Sequence, residues 1–398
     1  MRGTVAGTGV RPADVSMPMR LIQVCTNFGP GGIQRHVLDL TAALRARGHD
    51  VFTAGSPGEW LEAGTDPRFA DVDLLGVTHE GGSLPRRLHR AFAAAARLRA
   101  FVGTVRPDLI HAHESGPALV AWLATAGRGI PLIVTYHGSE PERIAGFGRV
   151  ARNVATRVVT PSHRSADDLA RIGGVPTASL KVLGLGIARR PAPERDAVAA
   201  LRARFARGAD DVLVVTVARL AHQKGIDVLI DVVRRAVAAR PRLSFVVVGD
   251  GPLRDRVGDW ARDAGVADRV AFVGHSERPQ EYLAAADVFL LTSRWEALPL
   301  SIVEALREGL PIVATDAGGV RELVDAAVGA VVPIGDTPAL SSALLRLCDD
   351  PRLRARCSEN AARRGDEDRF DPEFVHAQFE RFYRDILAAA ARRRPQRA

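Results

Sequence analysis

Short runs rich in Val, Ile and Leu alternate along this chain with longer amphipathic stretches, and that alternation restricts the fold more than any other feature. The runs lie at 21–25, 51–54, 109–111, 132–136 and 158–160 in the first half. They recur at 212–217, 243–248, 270–273, 288–291, 311–314 and 330–332 in the second. Strands spaced by helices in this way make βαβ units with parallel sheets. Between the first two runs Ile33, Val37, Leu40 and Leu44 share one helical face, and Gly48 stops the helix. Further helices are expected to begin near Gly225, Pro252, Pro279, Leu300 and Thr337. At 398 residues the chain exceeds one ordinary core and suits two domains. The expected fold is therefore α/β, with two Rossmann-like doubly wound domains facing across a cleft at the carboxyl ends of their sheets.

Residues 19–188 form the expected first domain and 199–370 the second. The connection runs through Gly184, Gly186, Pro191 and Pro193, which places a linker at 189–198. A last amphipathic stretch at 371–391 carries Phe374, Phe379, Phe382, Tyr383 and Ile386, and no strand follows it. It is expected to cross back to the first domain. Residues 1–18 read as a disordered extension without a signal-peptide core, and 392–398 as a basic solvated tail.

Only Lys181 and Lys224 supply lysine among 54 basic residues, so arginine carries nearly all of the +8 net charge. That bias suits a GC-rich coding sequence better than a nucleic-acid surface, because aromatic residues are only 5% and interleave with no basic stripe. Cys25, Cys348 and Cys357 are odd in number and lack metal spacing, which points to a reduced, cytoplasmic protein. No apolar run approaches the roughly 18 residues that a membrane span needs.

One of the two lysines sits in the segment from Arg219 to Gly225, directly after the run 212–217. An Arg/Lys pair at a strand end, leading into a helix, is suited to an anionic diphosphate. Later, Glu296 lies in a loop after a strand and Glu304 on the helix that follows Pro299. Glu304 can accept two hydroxyl hydrogen bonds from a vicinal ribose diol. The glycines Gly29, Gly31 and Gly32 after the first strand let backbone approach a ligand. They do not form a dinucleotide fingerprint. Gly249, Asp250, Gly251 and Pro252 have a strand–turn–helix setting, equally readable as a tight turn. His137 stands at a strand's carboxyl end, where it can contact a sugar hydroxyl or a developing charge. His111 and His113, at another strand end, read as structural or acceptor-lining.

With these motifs in order, the chain resembles the retaining glycosyltransferases of the GT-B fold, family 4. The resemblance rests on residues 31–37, Thr135 to Gly138, Arg219 with Lys224 and Gly225, residues 249–252, Glu296 to Glu304, and Ala317 to Gly319. It implies a nucleoside-diphosphate-sugar donor on the second domain, a hydroxyl acceptor on the first, and no metal. By the same resemblance Arg219 and Lys224 hold the diphosphate, Glu304 the ribose, and Glu296 with the amides of Leu298, Leu300 and Ser301 the sugar. Gly31, Gly32, Gly249 and Gly251 belong to the donor site, His137 lies near the reacting centre, and Val273 with Gly274 lies near the base. A uridine donor is favoured over a guanosine one by family habit alone.

Three positions depart from the family pattern. Ala297-Leu298-Pro299 replaces a Gly-Phe-Gly loop, and its proline removes one N–H donor. Gly184-Leu185-Gly186 replaces Pro-Asn-Gly, and Gln34 stands where relatives carry glutamate. A sugar-nucleotide epimerase and a non-catalytic sugar-nucleotide sensor remain as alternatives, separable by acceptor dependence and by donor consumption. The acceptor is unspecified by sequence. The stretch 84–102 places Leu88, Phe92, Ala95 and Leu98 on one face beside arginines, which allows weak peripheral contact with an anionic membrane.

Overall fold

The computed structural model describes residues 17–78, 83–206, 208 and 211–393. Most of the expected extension 1–18, and the expected tail from residue 394, lie outside these residues. Seven parallel strands make the first sheet: β1 (Arg20–Asn27), β2 (Asp50–Ser56), β3 (Phe69–Asp71), β4 (Leu109–His113), β5 (Leu132–Thr135), β6 (Arg157–Thr160) and β7 (Leu180–Val182). Their order is β3-β2-β1-β4-β5-β6-β7. Six parallel strands make the second: β8 (Val212–Val217), β9 (Leu243–Val248), β10 (Val270–Gly274), β11 (Val288–Leu291), β12 (Ile312–Thr315) and β13 (Gly329–Val332). Their order is β10-β9-β8-β11-β12-β13. This is the expected pair of doubly wound domains.

Each order reverses once, between β1 and β4 and between β8 and β11. Loops leaving the two sides of such a point diverge and open a crevice beyond the strand ends. Both sequence-selected loops of the second domain leave from its reversal point, one after β8 and one after β11.

The central strands read clearly because they are buried on both faces, as in Val212–Val217 and Leu243–Val248. The edge strands β3 and β7 are short and partly exposed, and they carry no apolar run. The connection also differs from expectation. A helix begins at Arg195 and runs to Phe205, inside the expected linker 189–198. Its Val198, Leu201 and Phe205 recur at helical spacing and pack on the second domain's core.

The C-terminal helix Pro372–Arg393 crosses back as expected. Its Val375, Phe379, Phe382, Tyr383 and Ile386 pack with Leu21, Leu40, Leu109 and Ile133 of the first domain. Phe379 and Tyr383 are almost completely buried. At about 1.5–3 kcal/mol per large buried side chain, this helix is a structural part of the first domain.

Candidate active-site cleft

The loop after β8 is built around Gly225, whose φ of 61° is left-handed. A Cβ there would stand 2.2 Å from the carbonyl oxygen of Thr292, so only glycine lets this loop dock on the end of β11. Thr292 Oγ1 donates to the carbonyls of Lys224 (2.9 Å) and Gly225 (3.0 Å) and ties the two loops together. Lys224 thereby reaches Glu296, and Nζ forms an ion pair with Oε1. The same oxygen accepts from Ser293 Oγ at 2.7 Å. The Glu296 side chain is only 6% exposed. Arg219, five residues before Lys224, is exposed, and its side chain takes no protein partner among the described residues. The sequence-selected pair is thus one anchored and one open cation.

Glu304 follows on the helix Leu300–Arg307, which opens straight after Pro299. Ile302, Val303, Ala305 and Leu306 are fully buried, which turns the part-exposed Glu304 outward from the core. Its Oε1 accepts from Arg190 Nε at 3.2 Å, and Arg190 Nη1 also donates to the Glu277 carbonyl at 3.1 Å. Arg190 lay unmarked in the linker, where composition signals only a connection. The first-turn N–H groups at Leu300 and Ser301 have no upstream helical acceptors. Gly249 and Gly251 stand on the turn after β9. Their amides are engaged within the protein, by the Gly274 carbonyl at 2.7 Å and by Asp250 Oδ1 at 2.7 Å. Gly249 is joined to Gly274 at the end of β10 next to Val273.

The first domain meets these loops from above. Gly138 has φ of 90°, and a Cβ on it would stand 2.9 Å from the Ala297 amide nitrogen. His137 is therefore held beside the Glu296–Ala297 loop. Gly32 faces Leu300, whose Cδ1 would be 3.5 Å from an added Cβ. Gly31 is instead followed closely by Gln34, which donates to Asn27 Oδ1 at 2.8 Å. Glu322 of the second domain accepts from the N–H groups of His163 (3.0 Å) and Arg164 (2.8 Å), at the start of the helix His163–Arg171. A carboxylate there is also favoured by the helix dipole. These contacts bring the two halves together over the cleft.

Beneath His137 lie His36, His111 and His113. Burial pushes His111 and His137 down to about 3, and takes His36 and His113 well below the ordinary histidine range. All four are neutral at pH 7. Glu114, at the end of β4, is a residue that sequence reasoning passed over. It has φ of 76°, accepts from Thr26 Oγ1 at 3.2 Å, and burial raises its carboxyl above the usual range. Strained backbone of this kind clusters at functional sites.

Two family descriptions cover the chain in sequence. Glycosyltransferase Family 4 matches residues 30–189, and glycosyl transferases group 1 matches residues 198–364. The 2-deoxystreptamine N-acetyl-D-glucosaminyltransferase of Streptomyces fradiae is 32% identical, over 79% of this chain and 81% of that protein. The chain belongs to the group 1 glycosyl transferases. This glycosyltransferase is also similar to the glycogen synthase of Mycobacterium tuberculosis, at 27% identity over 95% of this chain and 97% of that protein. It shares its fold with the crystal structure of HepE from Anabaena in complex with UDP, at a TM-score of 0.75 and 21% identity. That match covers 92% of this chain and 100% of HepE. The group 1 match spans the Arg219/Lys224 loop and both glutamates.

Proposed function

We propose that this enzyme moves a hexosyl or N-acetylhexosaminyl group, with retention, from a nucleoside-diphosphate sugar to a hydroxyl acceptor. A UDP sugar is the favoured donor, and the acceptor is a small molecule, glycan or lipid-linked hydroxyl. The observation that carries this reading is the pair of cations, Arg219 and Lys224, set beside Glu296 at the reversal point of the second sheet. HepE, which has this fold, was solved with UDP. Relatives at or above 30% identity are named as kanosaminyl and N-acetylglucosaminyl transferases.

In this reading the anomeric C–O bond to the diphosphate breaks, and negative charge grows on the leaving oxygen. Arg219 and Lys224 stabilise that charge most when it is largest. The acceptor oxygen bonds to the same face of the sugar, and its proton passes to a departing phosphate oxygen. The two cations supply the neutralisation that a metal would otherwise give, so activity is expected to survive a chelator. Retention is tested by NMR of the product's anomeric signal. An α-linked donor giving a β-linked product would contradict it.

Glu304 accepts the ribose hydroxyls in exchange for its Arg190 contact. The ribose does not change during transfer, so Glu304→Ala is expected to raise the donor KM by roughly tenfold or more and leave kcat nearly unchanged. Steady-state kinetics at saturating acceptor check this.

The reduced thiols Cys25, Cys348 and Cys357 are buried and unpaired, in keeping with a cytoplasmic site of action. No helix among the described residues is long and apolar enough to cross a membrane. The helix Leu84–Val105 buries Ala95 and Leu98 but leaves Leu88 and Phe92, at 50% and 60% exposure, on its surface beside Arg86, Arg87 and Arg90. Peripheral contact with an anionic bilayer follows as part of this proposal. Sedimentation with anionic vesicles is expected at low salt and to weaken as salt rises. Absence of binding at low salt would remove the membrane from the account.

A further inference from the structure

His137 is the outer end of a chain of polar contacts buried under the cleft. The members are Gln23 on β1, His111 and His113 on β4, Thr135 on β5 and Tyr383 on the C-terminal helix. These five are between 0% and 1% exposed. His137 Nε2 lies 3.0 Å from His113 Nδ1, and His113 Nε2 lies 3.0 Å from Gln23 Oε1. Gln23 Nε2 then donates to the Tyr383 hydroxyl at 3.4 Å. The same hydroxyl is 2.7 Å from His111 Nδ1, and His111 Nε2 is 2.6 Å from Thr135 Oγ1.

The structure turns the Gln23 amide oxygen to His113 and its NH2 to Tyr383, and the direction of every hydrogen follows from that orientation. The amide oxygen can only accept, so His113 carries its hydrogen on Nε2. A neutral imidazole then has a bare lone pair on Nδ1, and that lone pair faces His137 Nε2. His137 must therefore carry its own hydrogen on Nε2. Tyr383 accepts from Gln23 and donates to His111 Nδ1, whose Nε2–H donates to Thr135. Every ring nitrogen of His111 and His113 is used. His137 Nδ1 is left with a lone pair and no protein partner among the described residues, on a residue that is part-exposed.

We propose that His113 and Gln23 are positioning residues that lock His137 in its Nε2–H tautomer, so that His137 meets the donor as an acceptor for one sugar hydroxyl. This rests on the placement of His137 at the donor site proposed above. An ionised diphosphate has no hydrogen to offer and gains nothing from the Nδ1 lone pair. A sugar hydroxyl does, so the relay converts a residue that could serve either group into a selector for the sugar. It also makes the C-terminal helix part of the site through Tyr383.

The test is ¹⁵N NMR of the histidine-labelled full chain, with His137 assigned by loss of its signal in His137→Gln. The wild-type protein is expected to show His137 as a single neutral Nε2–H tautomer at pH 7. His113→Asn, which keeps an amide oxygen near the former Nδ1, is expected to preserve it. His113→Leu is expected to give mixed tautomers. In a UDP-release assay with UDP-glucose, His113→Leu is expected to lose roughly tenfold in kcat/KM, the size of one hydrogen bond. His113→Asn is expected to retain most of kcat/KM.

A wild-type Nδ1–H tautomer would overturn the proposal, as would an unchanged single tautomer in His113→Leu. If His113→Leu does not fold, the wild-type tautomer and His113→Asn still decide the question. A correctly placed tautomer together with wild-type turnover in His137→Gln would refute the donor-site role of His137 while leaving the relay intact.

Discussion

Arg219→Ala is expected to lower turnover by about 10²–10³-fold while weakening donor binding far less. Charge on the leaving diphosphate increases as the glycosidic bond breaks, so a cation beside it contributes most in the transition state. Arg219 is exposed and its side chain holds no protein partner among the described residues, so its removal is expected to leave the melting temperature unchanged. Lys224→Ala is expected to match the kinetic loss and add a structural one. Lys224 is the ion partner of the nearly buried Glu296, which would retain only the Ser293 hydroxyl. Breaking one side of a buried pair leaves an uncompensated charge. Comparing kcat with nucleoside diphosphate affinity in both variants, alongside thermal unfolding, separates the two effects. A folded Arg219→Ala enzyme with wild-type turnover would remove this loop from the chemistry.

Acid is expected to unfold the first domain through its buried histidines. His36, His111, His113 and His137 are neutral in the fold because burial lowers each of them, two to about 3. Unfolded, each titrates near 6.5. The unfolded chain therefore binds more protons in the window from about 6.5 down to about 3, and stability falls with pH throughout it. The four histidines act in the same direction, each by up to about 1.4 kcal/mol per pH unit. A domain of ordinary stability, about 5–15 kcal/mol, is expected to unfold as the pH falls through this window. Denaturant unfolding between pH 8 and pH 5 measures the slope. His36→Phe is expected to flatten it, since both His36 ring nitrogens are buried without a partner. Stability that stays level from pH 8 to pH 5 would show that the cluster does not titrate on unfolding.

The two-domain architecture was legible because strands such as Val212–Val217 are apolar on both faces, and burial writes itself into composition. Strand order was not legible. Nothing local tells β1 to lie beside β4, yet that neighbour choice makes the crevice. Lys224 and Glu296 were each visible, but their ion pair was not, because it depends on β8 and β11 being adjacent. Edge strands β3 and β7 lacked a signal since half-exposed residues need not be apolar. His111 and His113 stand two apart on β4, which puts them on one face of a strand, so their companionship was readable. Their connection to Tyr383 was not, because that residue arrives from the far end of the chain on the crossover helix. Arg190 was hidden by its linker composition. The bonds that engage the Gly249 and Gly251 amides within the protein were not readable either, since one of them comes from Gly274 on the neighbouring strand.

The central claim, that the cleft takes a nucleoside-diphosphate sugar held by cations of the second domain, is tested most directly by a donor panel. UDP and GDP sugars are offered to the wild-type enzyme in chelator, with thermal shift and nucleoside diphosphate release read on the same samples. The account predicts that UDP sugars stabilise the protein and that at least one is consumed without added metal. Stabilisation is also predicted to fall in Glu304→Ala, whereas Arg219→Ala keeps most of it and loses release. A protein that no nucleoside-diphosphate sugar stabilises or loses to hydrolysis or transfer would contradict the account.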